Sequence, residues 1–143
     1  MAEALHSIMS AIKTALEATE EFGEVLEYDV VPQLEAAHKF PVCVLVEVGE
    51  RLVGRQDEEC EDRSNLVGVA LYSNAGTPSE RVAELRSLGA VVYEALENQS
   101  LGGSHPIHWQ RKDTAQTNNM VPLGVRMDVY DASYHLDRGD SDI

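Results

Sequence analysis

The feature that most restricts the fold of this chain is a strand, a capped turn and an amphipathic helix in direct succession over residues 66–98. Leu66-Val-Gly-Val-Ala-Leu-Tyr72 is short, apolar and β-prone, and Ser73-Asn-Ala-Gly-Thr-Pro-Ser-Glu80 stops it with turn residues. Within that turn, Thr77-Pro-Ser-Glu80 has the form of a capping box. Thr77 stands as N-cap, Pro78 takes the first helical position, and Glu80 reaches back to the cap amide. Val82, Leu85, Leu88, Val92 and Leu96 then recur every three or four residues, which predicts one dry helical face. Run on to Asn98, the helix is roughly 30 Å long at about 1.5 Å per residue, enough to cover a small sheet. The turn has a single glycine, Gly76, and no buried parallel strand follows the helix, so a nucleotide-binding βαβ unit does not fit. The helix reads as scaffold on one face of the sheet.

The rest of the chain supplies a sheet for it. Residues 2–19 carry Leu5, Ile8, Met9, Ile12, Ala15 and Leu16 on one helical stripe, with Gly23 as the helix-ending residue. Val25 to Val31 is a weaker strand closed by Pro32. Pro41-Val-Cys-Val-Leu-Val-Glu-Val48 has so little polar alternation that it reads as a central strand covered on both faces or at an interface. Ile107 to Lys112 forms a short strand with Ile107 and Trp109 on one face. From Val121 to Tyr134, the apolar residues Leu123, Val125, Met127 and Val129 alternate with Arg126, Asp128 and Asp131, which predicts one antiparallel strand with a packed and a wet face. The expectation is an α+β fold: a mostly antiparallel or mixed sheet of about four to five strands, with two amphipathic helices packed on one face. A single domain spans 1–136, and the acidic segment 137–143 is a flexible C-terminal tail.

Charge and composition narrow the function. Twenty-five acids against 11 bases give a formal charge of −14, which argues against ordinary binding to a phosphate backbone. It remains compatible with a wall past which DNA slides without sticking, because acidic surfaces repel phosphates. No apolar run is long enough to span a bilayer and no signal segment opens the chain, so a cytoplasmic site of synthesis and no membrane partner are expected. Cys43 lies in an apolar strand and Cys60 in an acidic stretch, a poor setting for a disulfide.

Chemistry-bearing constellations are sparse. His105 and His108 are the one close histidine pair, and three-residue spacing on a strand points them to opposite faces. Cys43 in an apolar strand has its thiol pKa raised rather than lowered, and no nucleophile elbow is present. Gly49-Glu-Arg-Leu-Val-Gly54 lacks the Gly-x-Gly start of a dinucleotide loop and the Lys of a P-loop, so its glycines fit a bend at a strand end. No catalytic, cofactor or metal residues are assigned. Residues 49–65 are the most hydrophilic interior stretch, with Asp57, Glu58, Glu59, Glu61 and Asp62 crowded among Arg51, Arg55 and Arg63. They read as a long loop or an extended hairpin, and connections of this length are often functional.

The whole layout resembles the phage tail terminator proteins, also called tail completion or tail-to-head joining proteins, of long-tailed phages. The resemblance rests on the leading helix at 2–19, the Pro-initiated strand Phe40-Pro-Val-Cys-Val-Leu-Val-Glu47, the Gly76-Thr-Pro-Ser-Glu80 turn feeding a helix, and Arg126 and Tyr130 within Gly124-Val-Arg-Met-Asp-Val-Tyr-Asp131. It implies a non-enzymatic virion subunit, made in the host cytoplasm and placed at the tail-head junction. Such subunits form a ring, commonly a hexamer, which caps the tail tube, ends its polymerisation and meets the head-tail connector. The tail tube protein, the connector protein and further copies of the chain are then its partners, and DNA is only passing cargo through an acidic lumen. The loop carrying Arg51 to Arg63 is the candidate assembly or lumen surface. Two other readings remain open on the residues alone: a small dimeric α+β ligand-binding or regulatory domain, and a metal-dependent hydrolase whose histidines and acids converge in space.

Overall fold

A computed structural model describes residues 2–35, 37–55, 60–113 and 123–137. The elements in chain order are α1 (Ala2–Glu17), β1 (Glu24–Tyr28), β2 (Val42–Arg55), β3 (Cys60–Ser73), α2 (Pro78–Leu96), β4 (His108–Asp113), β5 (Gly124–Asp131) and β6 (Tyr134–Asp137). The strands form one mixed sheet in the order β1-β2-β3-β5-β4, with β6 paired to the outer part of β3. Only β1 and β2 run parallel; the other pairings are antiparallel. This is the anticipated α+β architecture, with six strands instead of four or five.

Each helix starts and stops for a local reason. Thr77 Oγ1 accepts the Glu80 N–H at 3.1 Å, and Pro78 opens α2. This satisfies one orphan amide of the first turn. At the other end Glu97 leaves helical geometry and Asn98 takes a left-handed conformation, its N–H donating to Ile107 O at 2.6 Å. At the end of α1 the Thr19 hydroxyl donates to Leu16 O, and Glu20, not Gly23, is left-handed. Gly23 instead serves a close approach. A β-carbon there would stand 2.0 Å from Lys39 O, and the Gly23 N–H donates to Pro41 O at 2.8 Å. The glycine lets β1 enter beside the segment leading into β2.

The main core lies between the helices and one face of the sheet. Ile8, Ile12 and Leu16 of α1 and Leu85, Leu88, Val92 and Leu96 of α2 pack with Cys43, Leu45, Val67, Val69, Leu71 and Tyr130 of the strands. The expected dry stripe of α2 therefore holds except at its first member, Val82, which is exposed. The opposite sheet face has its own smaller cluster of Val42, Val44, Val46, Ala70 and Tyr72, closed by Leu34 from the β1–β2 connection. There the Tyr72 hydroxyl donates to Pro32 O at 2.7 Å. Val42 to Val46 are thus buried on both sides, as a continuous apolar run predicts.

Two strand readings need correction. The predicted single strand over 121–134 is two strands, since the chain breaks at Ala132 and Ser133 and then pairs with a different part of β3. The Ala132 N–H bonds to Asn65 O at the crossing point. The face of β5 expected to be wet is covered as well, while the expected packed face is packed. Asp128, expected on the wet face, is buried against the α2 side, whereas Val125 and Met127 pack in the smaller cluster. Residue 137 ends β6, and 138–143 of the expected tail lie outside the described residues.

Candidate functional site

Two features stand out from this frame, a projecting ribbon and a groove. The ribbon is the outer half of β2 and β3. Arg51, Arg55, Glu61 and Asp62 belong to paired strands, so the stretch over 49–65 is an extended hairpin; Asp57, Glu58 and Glu59 lie outside the described residues. In its register Arg51 stands opposite Ser64 and Arg55 opposite Glu61. The pairing slips at Glu47/Gly49 and again at Leu52/Gly54, so each glycine marks a bulge, a device that bends and twists a ribbon. β6 joins the ribbon as a third strand, with Arg63 opposite Tyr134. At its base Ser64 and Asn65 are buried and Arg63 is half-buried. The described members of the predicted candidate surface, Arg51, Arg55, Glu61, Asp62 and Arg63, are therefore spread along the strands of a ribbon.

The groove lies at the other end of the sheet, between α2 and strands β4 and β5. Its volume is about 900 Å³, and its walls include Gly89, Tyr93 and Glu97 of α2, Trp109 of β4, and Arg126 and Asp128 of β5. Its floor is a charged triad. Arg126 donates from Nε to Asp128 Oδ2 at 2.9 Å and from Nη2 to Oδ1 at 3.1 Å. The Trp109 indole donates to Asp128 Oδ1 at 3.2 Å. A two-point pairing of this kind is among the stronger side-chain contacts, and it satisfies both oxygens of buried Asp128. Its hydrogen bonds to Asp128 push the Arg126 guanidinium further up from its already high pKa.

A second carboxylate ties the helix end to β4. Glu97 accepts the Trp109 backbone N–H at 2.7 Å and the His108 ring Nδ1 at 3.0 Å. The Trp109 amide first and the His108 bond second hold its pKa below the usual carboxylate range. Burial, more than nearby charge, pushes the Tyr130 phenol well up. The same His-and-amide arrangement recurs at the far edge, where Glu24 accepts from the Lys39 N–H and from His38 Nδ1. Two edge strands are thus pinned by the same local device.

Within the groove Arg126 and Asp128 are bonded to each other and Glu97 to the Trp109 amide and His108, and Arg86 and Glu94 complete its charged lining. What stays available is the aromatic surface of Tyr93 and Trp109, about half exposed on either side of the opening. Among the described residues no group of three or more His, Cys, Asp or Glu converges. His105 sits in the turn before β4 and His108 on Glu97, so the predicted histidine pair is not brought together. Burial pushes the Cys43 thiol well up, as expected from its strand. Sequence reading missed the groove because its residues come from three elements; the one signal was a glycine, Gly89, in the middle of a strong helix.

No family model matches the sequence, and no curated protein matches it. Solved structures do match. A chain from the virion of a native gene transfer agent particle superposes with a TM-score of 0.61 at 13% identity, covering 96% of this chain and 99% of that one. The two share a fold from end to end.

Proposed function

We propose that this protein is a non-enzymatic structural subunit of a long-tailed phage or related particle. In this reading it forms a ring, hexameric by resemblance, that caps the tail tube, stops its growth and meets the head connector. The observation that carries the proposal is the end-to-end fold correspondence with a chain of a virion particle. That likeness spans nearly the whole of both chains, so it is not a shared fragment. The layout's resemblance to tail terminators supports the specific position, and the charge of −14 suits a passage through which DNA moves without binding.

The mechanism is steric. A ring uses two different patches per subunit in a heterologous contact that closes. Each contact must bury on the order of 1,000 Å² or more to be specific. The bulged ribbon of β2, β3 and β6, with Arg51 to Arg63 along it, is the candidate reach toward the tube, the lumen or the connector. The test is assembly: purified protein is weighed by native mass spectrometry and imaged in negative stain, alone and with tail tube protein. Closed rings seated on tube ends, with shortened tubes, are the expected result. A monomer or dimer at every concentration, with or without tube protein, overturns the proposal.

A further inference from the structure

The large apolar side chains left exposed among the described residues gather at the two ends of the sheet. Tyr28, 41% exposed, ends β1; Val30, 65% exposed, follows it, and Val48 lies on the neighbouring β2. At the opposite end stand Trp109 of β4, 41% exposed, and Tyr93 and Val82 of α2. Tyr93 and Trp109 flank one groove, and Val82 lies beside Lys112 in a second hollow. Between these ends, Val42 to Val46 of β2 and Val67 to Tyr72 of β3 are buried.

Charge divides the same way. In and just before β1 stand Glu21, Glu24 and Glu27, followed by Asp29, with Lys39 the nearest base. β4 carries Arg111 and Lys112 against Asp113, and Arg86 of α2 lines both hollows beside it. In a strongly acidic chain the β1 edge is acidic, while at the β4 edge Arg86, Arg126, Lys112 and Arg111, the last bonded to Asp113 at 2.8 Å, balance Glu94, Glu97, Asp113 and Asp128, so the β4 edge is the less acidic of the two. Strand direction agrees as well. β5 runs in the same sense as β1 and β4 opposes it, so a β1 edge brought beside the β4 edge of a like-oriented copy is antiparallel to it.

We infer that these two edges are the two halves of the contact between neighbouring copies of this chain. Tyr28 and Val30 of one copy lie against the Tyr93 and Trp109 surface of the next, and Glu27 and Asp29 face Arg86, Arg111 and Lys112. The inference rests on the ring reading above and names the surfaces that close the ring. The bulge between Trp109 and Arg111 interrupts the regular edge of β4, so side chains and not a continuous backbone ladder set the partner.

The test uses two double variants at exposed positions, E27K/D29K and R111E/K112E. Each makes its two edges alike in charge, so each alone loses at least tenfold in assembly, read by sedimentation under conditions where the wild type forms rings. An equimolar mixture regains assembly, because each variant's edges complement the other's. That regain also shows that both variants are folded. The milder pairs E27Q/D29N and R111Q/K112Q, weakened without restoration on mixing, guard against misfolding. Variants that assemble like wild type, or folded variants that fail alone and in mixture, overturn the edge pairing while the ring reading stands. A wild-type chain that never forms a ring overturns both.

Discussion

The Arg126 guanidinium lies across α2 at Gly89, where a β-carbon would stand 2.9 Å from Cζ and 3.0 Å from Nε. The glycine weakens an otherwise strong helix, and the arginine that uses its space is the one that holds buried Asp128. An arginine on the helix-covered face of β5 therefore needs a gap in the helix above it.

This relationship predicts a change of sign. Gly89→Ala gains about 1 kcal/mol of helix propensity. In the wild type it also displaces a charge-assisted pair worth about 1.5–3 kcal/mol. The net is a destabilisation of about 1 kcal/mol. In an Arg126→Ala background the same substitution stabilises by about 1 kcal/mol relative to that background. Urea unfolding of the four proteins reads the cycle, and stabilisation in both backgrounds would show that the guanidinium moves aside freely.

Glu97 predicts an acid-side dependence. Its folded pKa is depressed below the ordinary 4.5 by the Trp109 amide and His108, so its contribution is complete above that value and is lost as pH falls through the lowered folded pKa. Glu97→Gln is expected to unfold more easily at pH 6, with the gap to wild type closing below about pH 4. A gap that is constant with pH would mean that the carboxylate's charge is not used.

Tyr72 and Tyr130 predict the alkaline side. Burial raises both phenols above the usual 10.0, so their contribution is full below that pH and is lost as pH rises toward the raised folded value. Tyr72→Phe forfeits the bond to Pro32 O and is expected to cost about 1 kcal/mol at pH 7. Its melting temperature should then fall less steeply than that of the wild type between about pH 10 and 12. Parallel curves for the two proteins would sink this account.

The ribbon predicts a separation of folding from assembly. If the acidic run serves assembly and not folding, replacing Asp57, Glu58 and Glu59 by Ser should change unfolding free energy by less than about 0.5 kcal/mol. Capping of tube ends should nonetheless fall. A wider excision over 55–62 is expected to damage the fold, because Cys60, Glu61 and Asp62 pair with β6. Unimpaired capping by the Ser variant would remove the acidic run at 57–59 from the proposed mechanism.

Much of this architecture was legible from local pattern. The stripes of α1 and α2, the cap at Thr77 and the doubly buried run at Val42 to Val46 each follow from the chemistry of neighbouring residues. Periodicity records which side of an element is dry, and these elements are dry for the reason the pattern states.

What the chain's order could not reveal was pairing across distance. Alternation in β5 placed Arg126 and Asp128 on a wet face, because two charged residues on a strand ordinarily face water. The folded chain buries Asp128 by bringing it the Trp109 indole and the Arg126 fork, and it makes room with Gly89 nineteen residues before β4 even begins. The break at Ala132 and the return of β6 to β3 likewise depend on Asn65, far away in sequence. Sequence alone determined the helices, the central strands and the fold class, since these rest on contacts within one element. Only tertiary structure decided the groove, the ribbon and the two unlike edges, since each is made where distant segments satisfy one another's polar groups or leave them exposed.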